Sequence, residues 1–237
     1  RRRLNDTFYT DTLFSKVKSM NGNTCAQVYS NGSFTKVFPM PDKTGARVGQ
    51  TLTDFADDVG IPDTLVMDLA PEQAGKHTEM QKEARRLRVR IRFTEKGRSE
   101  QNHTAEGEIG QLKRRWKHRM TTKNVPRCLW DYGLVHEAEV LSILARGKDQ
   151  VPGLKKVLGQ MIDISEYLDF GIWDLVWYWD QSKTSDMSDE QKKLGRWLGI
   201  AHRVGSEMTY WILTEHCKVI ARSTVQHVLF AELQQET

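Results

Sequence analysis

The sequence predicts an α/β fold: a mixed five-stranded sheet with flanking helices, followed by a small antiparallel β-barrel domain. Three observations predict it. Strand-like segments joined by turn signals open the chain. Beyond about residue 40 the apolar spacing changes to alternating helix and strand, the pattern that builds parallel crossovers. Beyond about residue 194 short strand-like runs return.

Residues 7–14 (Thr-Phe-Tyr-Thr-Asp-Thr-Leu-Phe) are β-branched and aromatic, which suits a strand. Asn21-Gly22 is a hairpin turn signal, and Ala26-Gln27-Val28-Tyr29 forms the returning strand. A third strand, Phe34 to Phe38, stops at Pro39. Val48, Leu52, Phe55, Ala56 and Val59 then recur at helical spacing, with Gly60 and Pro62 as the stop. Thr64-Leu65-Val66-Met67-Asp68 is a short, continuous apolar run, as in a strand buried on both faces. A helix over about Thr78–Leu87, a strand near Val89–Phe93 and a Gly/Ser/Asn-rich loop follow. Helices from about Thr104 to Met120 and from about Arg127 to Leu144 complete the pattern. Three antiparallel strands followed by alternating helix and strand is the layout of the ribonuclease H-like fold.

The expected organisation is a core over residues 1–146, an acidic, aromatic-containing connector over 147–193, and a small β-barrel over 194–237. Trp173, Trp177 and Trp179 of the connector are expected to act as packing anchors, and Trp197 and Trp211 to fill the barrel. No capping element precedes the first strand, so the chain reads as an excerpt of a larger polyprotein.

Composition narrows the function. The net charge is only +4, but residues 85–127 hold fourteen Lys or Arg against four acids. Such a concentration is the electrostatic footprint of a polyanion site, or else a solvated helix face. Cys25, Cys128 and Cys217 are far apart and form no CxxC pair, which argues against a zinc knuckle or disulfide framework. The apolar runs are too short to cross a bilayer, so no membrane partner is expected. His77, His103, His118 and His136 lack ligand spacing and are expected at the surface or in loops.

Two acids stand in or at the end of predicted strands, Asp11 in the first and Asp68 in the fourth. These strands are neighbours in the inferred fold. Like charges side by side need a shared proton or a cation. A third acid early in the helix after the fifth strand would complete a hard-oxygen set suited to Mg²⁺ or Mn²⁺, and two ions can stabilise an in-line phosphoryl displacement. Both Glu106 and Glu108 flank that helix's apolar stripe of Ala105, Ile109, Leu112, Trp116 and Met120. Glu106 shares its side with Gly110, Lys113 and Lys117, and Glu108 with Gln111, Arg115 and Arg119. Helical periodicity does not choose between them.

Gln101-Asn102-His103-Thr104-Ala105-Glu106 resembles the Q-N-G-V-A-E signature of copia-type retrotransposon integrases, members of the retroviral integrase superfamily. Val125-Pro126-Arg127-Cys128-Leu129-Trp130 is similar to that family's L-P-x-x-L-W. Gly195-Arg196-Trp197-Leu198-Gly199-Ile200 resembles the G-x-F-V-G-Y strand opening its small barrel. The intervals of 57 and 38 residues between Asp11, Asp68 and Glu106 suit the D-D-E class. The resemblance implies that Asp11, Asp68 and Glu106 are catalytic and hold two Mg²⁺ or Mn²⁺ ions, Asp11 with Asp68 on one and Asp11 with Glu106 on the other. It implies 3′-end processing of element DNA and strand transfer into target DNA, with Asn102, Lys113, Arg114 and Lys117 on the DNA backbone. A homo-multimer is implied, in a cytoplasmic virus-like particle first and in the nucleus at the integration step. Leu69-Ala70 stands where the family has Asn-Gly, and the family's upstream zinc module is absent from the sequence. A catalytically inactive DNA-binding or assembly module is therefore the alternative. A plain ribonuclease H is disfavoured by the Q-N-x-x-A-E element and the trailing β domain.

Overall fold

The computed structural model describes residues 1–68, 78–94, 103–146, 149–160, 163–180, 192–205 and 207–229. It divides into two units, Arg1–Ile162 and Asp163–Thr237. The first unit contains β1 (Arg3–Phe14), β2 (Cys25–Ser30), β3 (Thr35–Met40), α1 (Gly45–Asp58), β4 (Ile61–Met67), α2 (Glu79–Arg86) and β5 (Arg90–Phe93). These are followed by α3 (His103–Lys123), a 3-10 turn (Arg127–Leu129), α4 (Trp130–Ile143) and α5 (Gly153–Leu158).

The five strands form one mixed sheet in the order β3-β2-β1-β4-β5. The β1–β2 and β2–β3 pairs are antiparallel, and the β1–β4 and β4–β5 pairs are parallel. The turn around Asn21-Gly22 has the local chemistry the sequence suggested: Gly22 sits at φ +87°, a conformation most side chains avoid. β4 is central and its Thr64–Met67 stretch is buried on both faces, which explains its unbroken apolar run.

One face of the sheet is covered by α1, whose Val48, Leu52, Phe55 and Ala56 form a buried stripe. Phe55 lies stacked on Tyr29 at 4.9 Å and edge-on to Phe8 at 4.9 Å, joining the helix to β1 and β2. Thr78 caps α2 by accepting from the Gln81 amide, while Glu79 in its first turn and Arg85 and Arg86 in its last match the helix dipole.

α3 and α4 form a second apolar layer. Ala105, Ile109, Leu112 and Trp116 of α3 are buried, as are Leu134, Ala138 and Leu141 of α4. The helices approach closely because α4 has a glycine at the contact: a Cβ on Gly133 would overlap the six-membered ring of Trp116. α4 is tied to β3 through Ser142, whose hydroxyl accepts from the Thr35 amide and donates to its carbonyl, each at 2.9 Å. His136, expected at the surface, is instead buried in α4, and burial lowers its pKa despite the nearby Glu139 and Glu137. A helix buried on several sides shows no amphipathic stripe by which an interior histidine could be recognised. His103 and His118 are exposed, and His77 lies outside the described residues.

The second unit contains α6 (Ser165–Leu168), β6 (Leu175–Trp179), β7 (Lys192–Ile200), β8 (Tyr210–Thr214), β9 (Val219–Arg222) and β10 (Val225–His227). Its strands form an antiparallel sheet in the order β10-β6-β7-β8-β9. Among the described residues no ladder closes this sheet into the expected barrel. Trp197 is fully buried beside Phe170 and Tyr210. Trp211 is only half-buried, because strand alternation puts it on the face opposite Tyr210 and Ile212. In β6 the core residues are Val176 and Tyr178. Trp177 lies under the Lys192 ammonium at 4.7 Å, and Trp173 under the Arg196 guanidinium at 5.3 Å, so these rings hold cations rather than fill the interior.

Replacing Gly133 by alanine should lower the unfolding free energy by about 2 kcal/mol, since overpacking forces α3 and α4 apart. Urea unfolding would measure this, and an unchanged midpoint would show that the helices tolerate separation.

Candidate active site

The site begins where the parallel ladder between β1 and β4 ends. β1 and β4 pair in register up to Thr10 and Met67, which places Asp11 and Asp68 at the next position along each strand. Hydrogen bonds orient both carboxylates. Asp11 Oδ1 accepts from the Thr12 amide at 2.7 Å, and Asp68 Oδ1 accepts from the Thr94 hydroxyl at 2.8 Å, just beyond β5. Asp11 is half-buried, and burial is the main cause that raises its pKa above the ordinary aspartate value. The Thr12 amide opposes that rise, Asp68 adds to it, Lys43 opposes it and Glu106 adds to it. Asp68 and Glu106 therefore both act on Asp11, although the three lie far apart along the chain.

On α3 the structure separates the two glutamates that periodicity left equivalent. Glu106 is exposed in the first turn. Glu108 is 5% exposed and fully engaged. Thr35 donates its hydroxyl to Glu108 at 3.0 Å, and the Arg146 guanidinium lies 3.2 Å away while also donating to Gln111 and to the Ser33 carbonyl. A carboxylate so held fixes α3 to β3 and is buried away from an incoming ligand.

The same division continues down the helix. Arg115 and Arg119 each donate to Glu137 of α4 at 2.8 Å, and the Glu137 side chain is 1% exposed. Burial alone would raise the Glu137 pKa, but the two guanidinium groups hold it below the usual glutamate range. Lys113, Arg114 and Lys117 are exposed and in no ion pair among the described residues. Asn102 lies outside the described residues.

Carboxylate oxygens are the donors that Mg²⁺ and Mn²⁺ prefer, and the raised pKa of Asp11, caused first by burial and then by neighbouring Asp68, marks a charge that a cation would relieve. Among the described residues no three His, Cys, Asp or Glu side chains stand close enough to grip a single ion. An arrangement using two carboxylates per ion, with water or phosphate oxygens completing the shell, is the usual one for Mg²⁺ and matches this donor set.

Comparison with solved structures identifies the architecture. A chain of the cryo-electron-microscopy structure of the simian T-cell lymphotropic virus intasome in complex with PP2A regulatory subunit B56 gamma matches with a TM-score of 0.55 at 12% identity. That match covers 96% of this chain and 81% of the other. The HTLV-2 integrase catalytic core domain in complex with magnesium matches in its trimeric and dimeric forms, both with a TM-score of 0.51, at 13% and 12% identity. These matches cover 65% and 66% of this chain and 97% of the core domain. The fold is that of a retroviral integrase catalytic core. No protein-family model matches the sequence, and no curated protein matches it.

Two residues around the acids were not found by reading the sequence. Thr94 follows the fifth strand, where a hydroxyl carries no motif. Lys43 sits in a loop and becomes a neighbour of Asp11 only through the turn that follows β3.

Because the folded state binds the Asp11 proton more tightly than an unfolded chain would, ionised Asp11 costs stability in full above its raised value. Asp11→Asn should therefore raise the melting temperature at neutral pH in chelator, and the gain should shrink as the pH falls through the raised folded value and vanish below the ordinary aspartate range. Glu137 has the opposite sign. Its contribution is present above the ordinary glutamate value and is lost as the pH falls through its lowered folded value, so Glu137→Gln should destabilise at pH 7 and much less in acid. Thermal unfolding of the two variants across pH measures both, and matching trends would contradict the opposed environments described here.

Proposed function

We propose that this chain is the catalytic part of a copia-type retrotransposon integrase, a D-D-E polynucleotidyl transferase that processes the 3′ ends of element DNA and joins them to target DNA. The observation that carries the reading is the action of Asp68 and Glu106 on half-buried Asp11 within an integrase-core fold. A half-buried carboxylate with a raised pKa and like-charged neighbours is more often found at a functional site than in packing.

In this reading Asp11 and Asp68 hold one Mg²⁺ or Mn²⁺ ion, and Asp11 and Glu106 hold the other. The ions, when bound, supply neutralisation of the charge on the attacking and leaving oxygens. In end processing a water attacks the phosphodiester, a P–O bond forms and the bond to the element's 3′ oxygen breaks. In joining, that 3′-hydroxyl attacks a target phosphodiester, one P–O bond forms and one breaks, and no covalent enzyme intermediate is needed. The chain's own part is to position. Thr12 and Thr94 fix the carboxylate orientation, and Lys113, Arg114 and Lys117 hold phosphates without reading bases. Asn102 is proposed for the same role. The solved neighbours include an intasome and trimeric and dimeric cores, which supports a multimer. DNA as the substrate, the nucleus at the integration step and a virus-like particle before it are part of the proposal on the sequence resemblance alone.

A second reading is a non-catalytic DNA-binding or assembly module, favoured by the spacing of the acids, no three of which grip one ion among the described residues. The two separate in one assay. Nicking or joining of an oligonucleotide matching the element's end should require Mg²⁺ or Mn²⁺ and should fall by about a hundredfold or more in Asp68→Asn and Glu106→Gln. Glu108→Gln, by contrast, should act mainly through stability. Cutting that survives Asp68→Asn would sink the proposed site.

A further inference from the structure

Two of the lysines assigned to phosphates above, Lys113 and Lys117, also line a cleft whose apolar wall that chemistry does not use. The β1–β2 loop, α3 and α4 enclose a cleft of about 360 Å³. Its apolar wall includes Leu13, Phe14, Trp116, Met120, Trp130 and Leu134. Four cations line it as well, Lys16, Lys113, Lys117 and Arg127, and no acid is among the described residues lining it. None of the four is in an ion pair among the described residues.

The cleft is fixed in shape by hydrogen bonds from the start of α4. Trp130 Nε1 donates to the Val17 carbonyl at 2.9 Å, and the Met20 amide donates to the Cys128 carbonyl at 2.8 Å. Asp131, which is 2% exposed, accepts from the side-chain amides of both Asn21 and Asn23, at 3.0 and 2.9 Å. The loop is thus held against the helix at several points. Phe14 nevertheless remains 60% exposed, a large apolar ring at the mouth of a preformed cleft.

We propose that this cleft seats the base of an unpaired nucleotide in the DNA strand that runs along α3, with its flanking phosphates on Lys16, Lys113, Lys117 and Arg127. An apolar, aromatic floor ringed by cations complements a flat, weakly polar base carried on an anionic backbone, and such stacking tolerates any base. Position favours DNA over an acidic peptide. Lys113 and Lys117 follow Glu106 on the same side of α3 by seven and eleven residues, or about 10 and 16 Å of helix. The cleft therefore lies a nucleotide or two from the proposed reacting phosphodiester. Leu13 is two residues beyond Asp11 on the same side of β1. This inference rests on the integrase reading for the path of the strand, and it adds a preference for DNA with a frayed or single-stranded end.

Fluorescence anisotropy of the full chain in chelator tests it, with a labelled blunt duplex compared to the same duplex carrying a short single-stranded extension. The extended duplex should bind about tenfold more tightly, and Phe14→Ala and Met120→Ala should each bring that ratio close to one. Phe14→Ala removes an exposed ring, so a folded variant is available even if Met120→Ala melts. Equal binding of both duplexes by the unaltered chain overturns the proposal, as does a loss of affinity in the variants that leaves the ratio unchanged. Phe14-dependent binding of an acidic aromatic peptide, with no gain from the extension, also overturns it and assigns the cleft to a protein. Because no cutting is measured, the two ideas fail separately. Asp68-dependent cutting without the extension preference refutes the cleft alone, and the preference without Asp68-dependent cutting refutes the proposed chemistry alone.

Discussion

The site depends on a carboxylate, Asp11, that the sheet holds half-buried beside like charges. Parallel pairing of β1 with β4 carries Asp11 and Asp68 to the same end of adjacent central strands, and α3 brings Glu106 into the field of Asp11. Removing part of the solvent from such a group disfavours its charged form, and like-charged neighbours disfavour it further. A fold selected only for stability would place an apolar or hydroxyl side chain at Asp11. Keeping the acid means accepting a local instability that the large aromatic and aliphatic core on the opposite face of the sheet can support.

Around that strained point the charges that serve packing are separated from those that do not. Glu108 with Arg146, and Glu137 with Arg115 and Arg119, are buried acids held by cations, and together they fix α3 against β3 and α4. Breaking any of them would strand a charge in a place water reaches poorly. Glu106, Lys113, Arg114 and Lys117 stand on the exposed side of the same helix. One helix therefore carries two functions on two flanks, and the difference lies in what each side chain meets rather than in residue type.

Much of this was legible in the sequence. The helix stripes, the Asn21-Gly22 turn and the unbroken apolar run of β4 are local signals, and local signals survive without an alignment. The acids could be named because a carboxylate in a strand that should be buried is conspicuous. Periodicity could not choose between Glu106 and Glu108, since both flank the stripe; the resemblance of residues 101–106 to the integrase signature pointed to Glu106, and the physical reason, Glu108 held by Thr35 and Arg146, appears only once β3 and Arg146 arrive from distant parts of the chain. His136 and Trp211 were misplaced for related reasons. A helix buried on several sides shows no stripe to read, and the face of an edge-region strand is set by its register with neighbours, which the sequence does not state. The expected barrel is described here as an open antiparallel sheet, because closure depends on pairings between strand edges that no short motif encodes.

The pairing of Arg115 and Arg119 with Glu137 has a consequence for how the basic stretch is counted. A tally of cations between residues 85 and 127 treats every guanidinium as a potential counterion partner. Two of them share the single Glu137 carboxylate inside the protein, so as a pair they offer one net charge rather than two to a polyelectrolyte. The slope of log affinity against log salt should then report fewer phosphates than the tally suggests. Any loss of nucleic-acid affinity on removing Arg115 or Arg119 would come from the helix coming loose, not from a missing contact with the ligand.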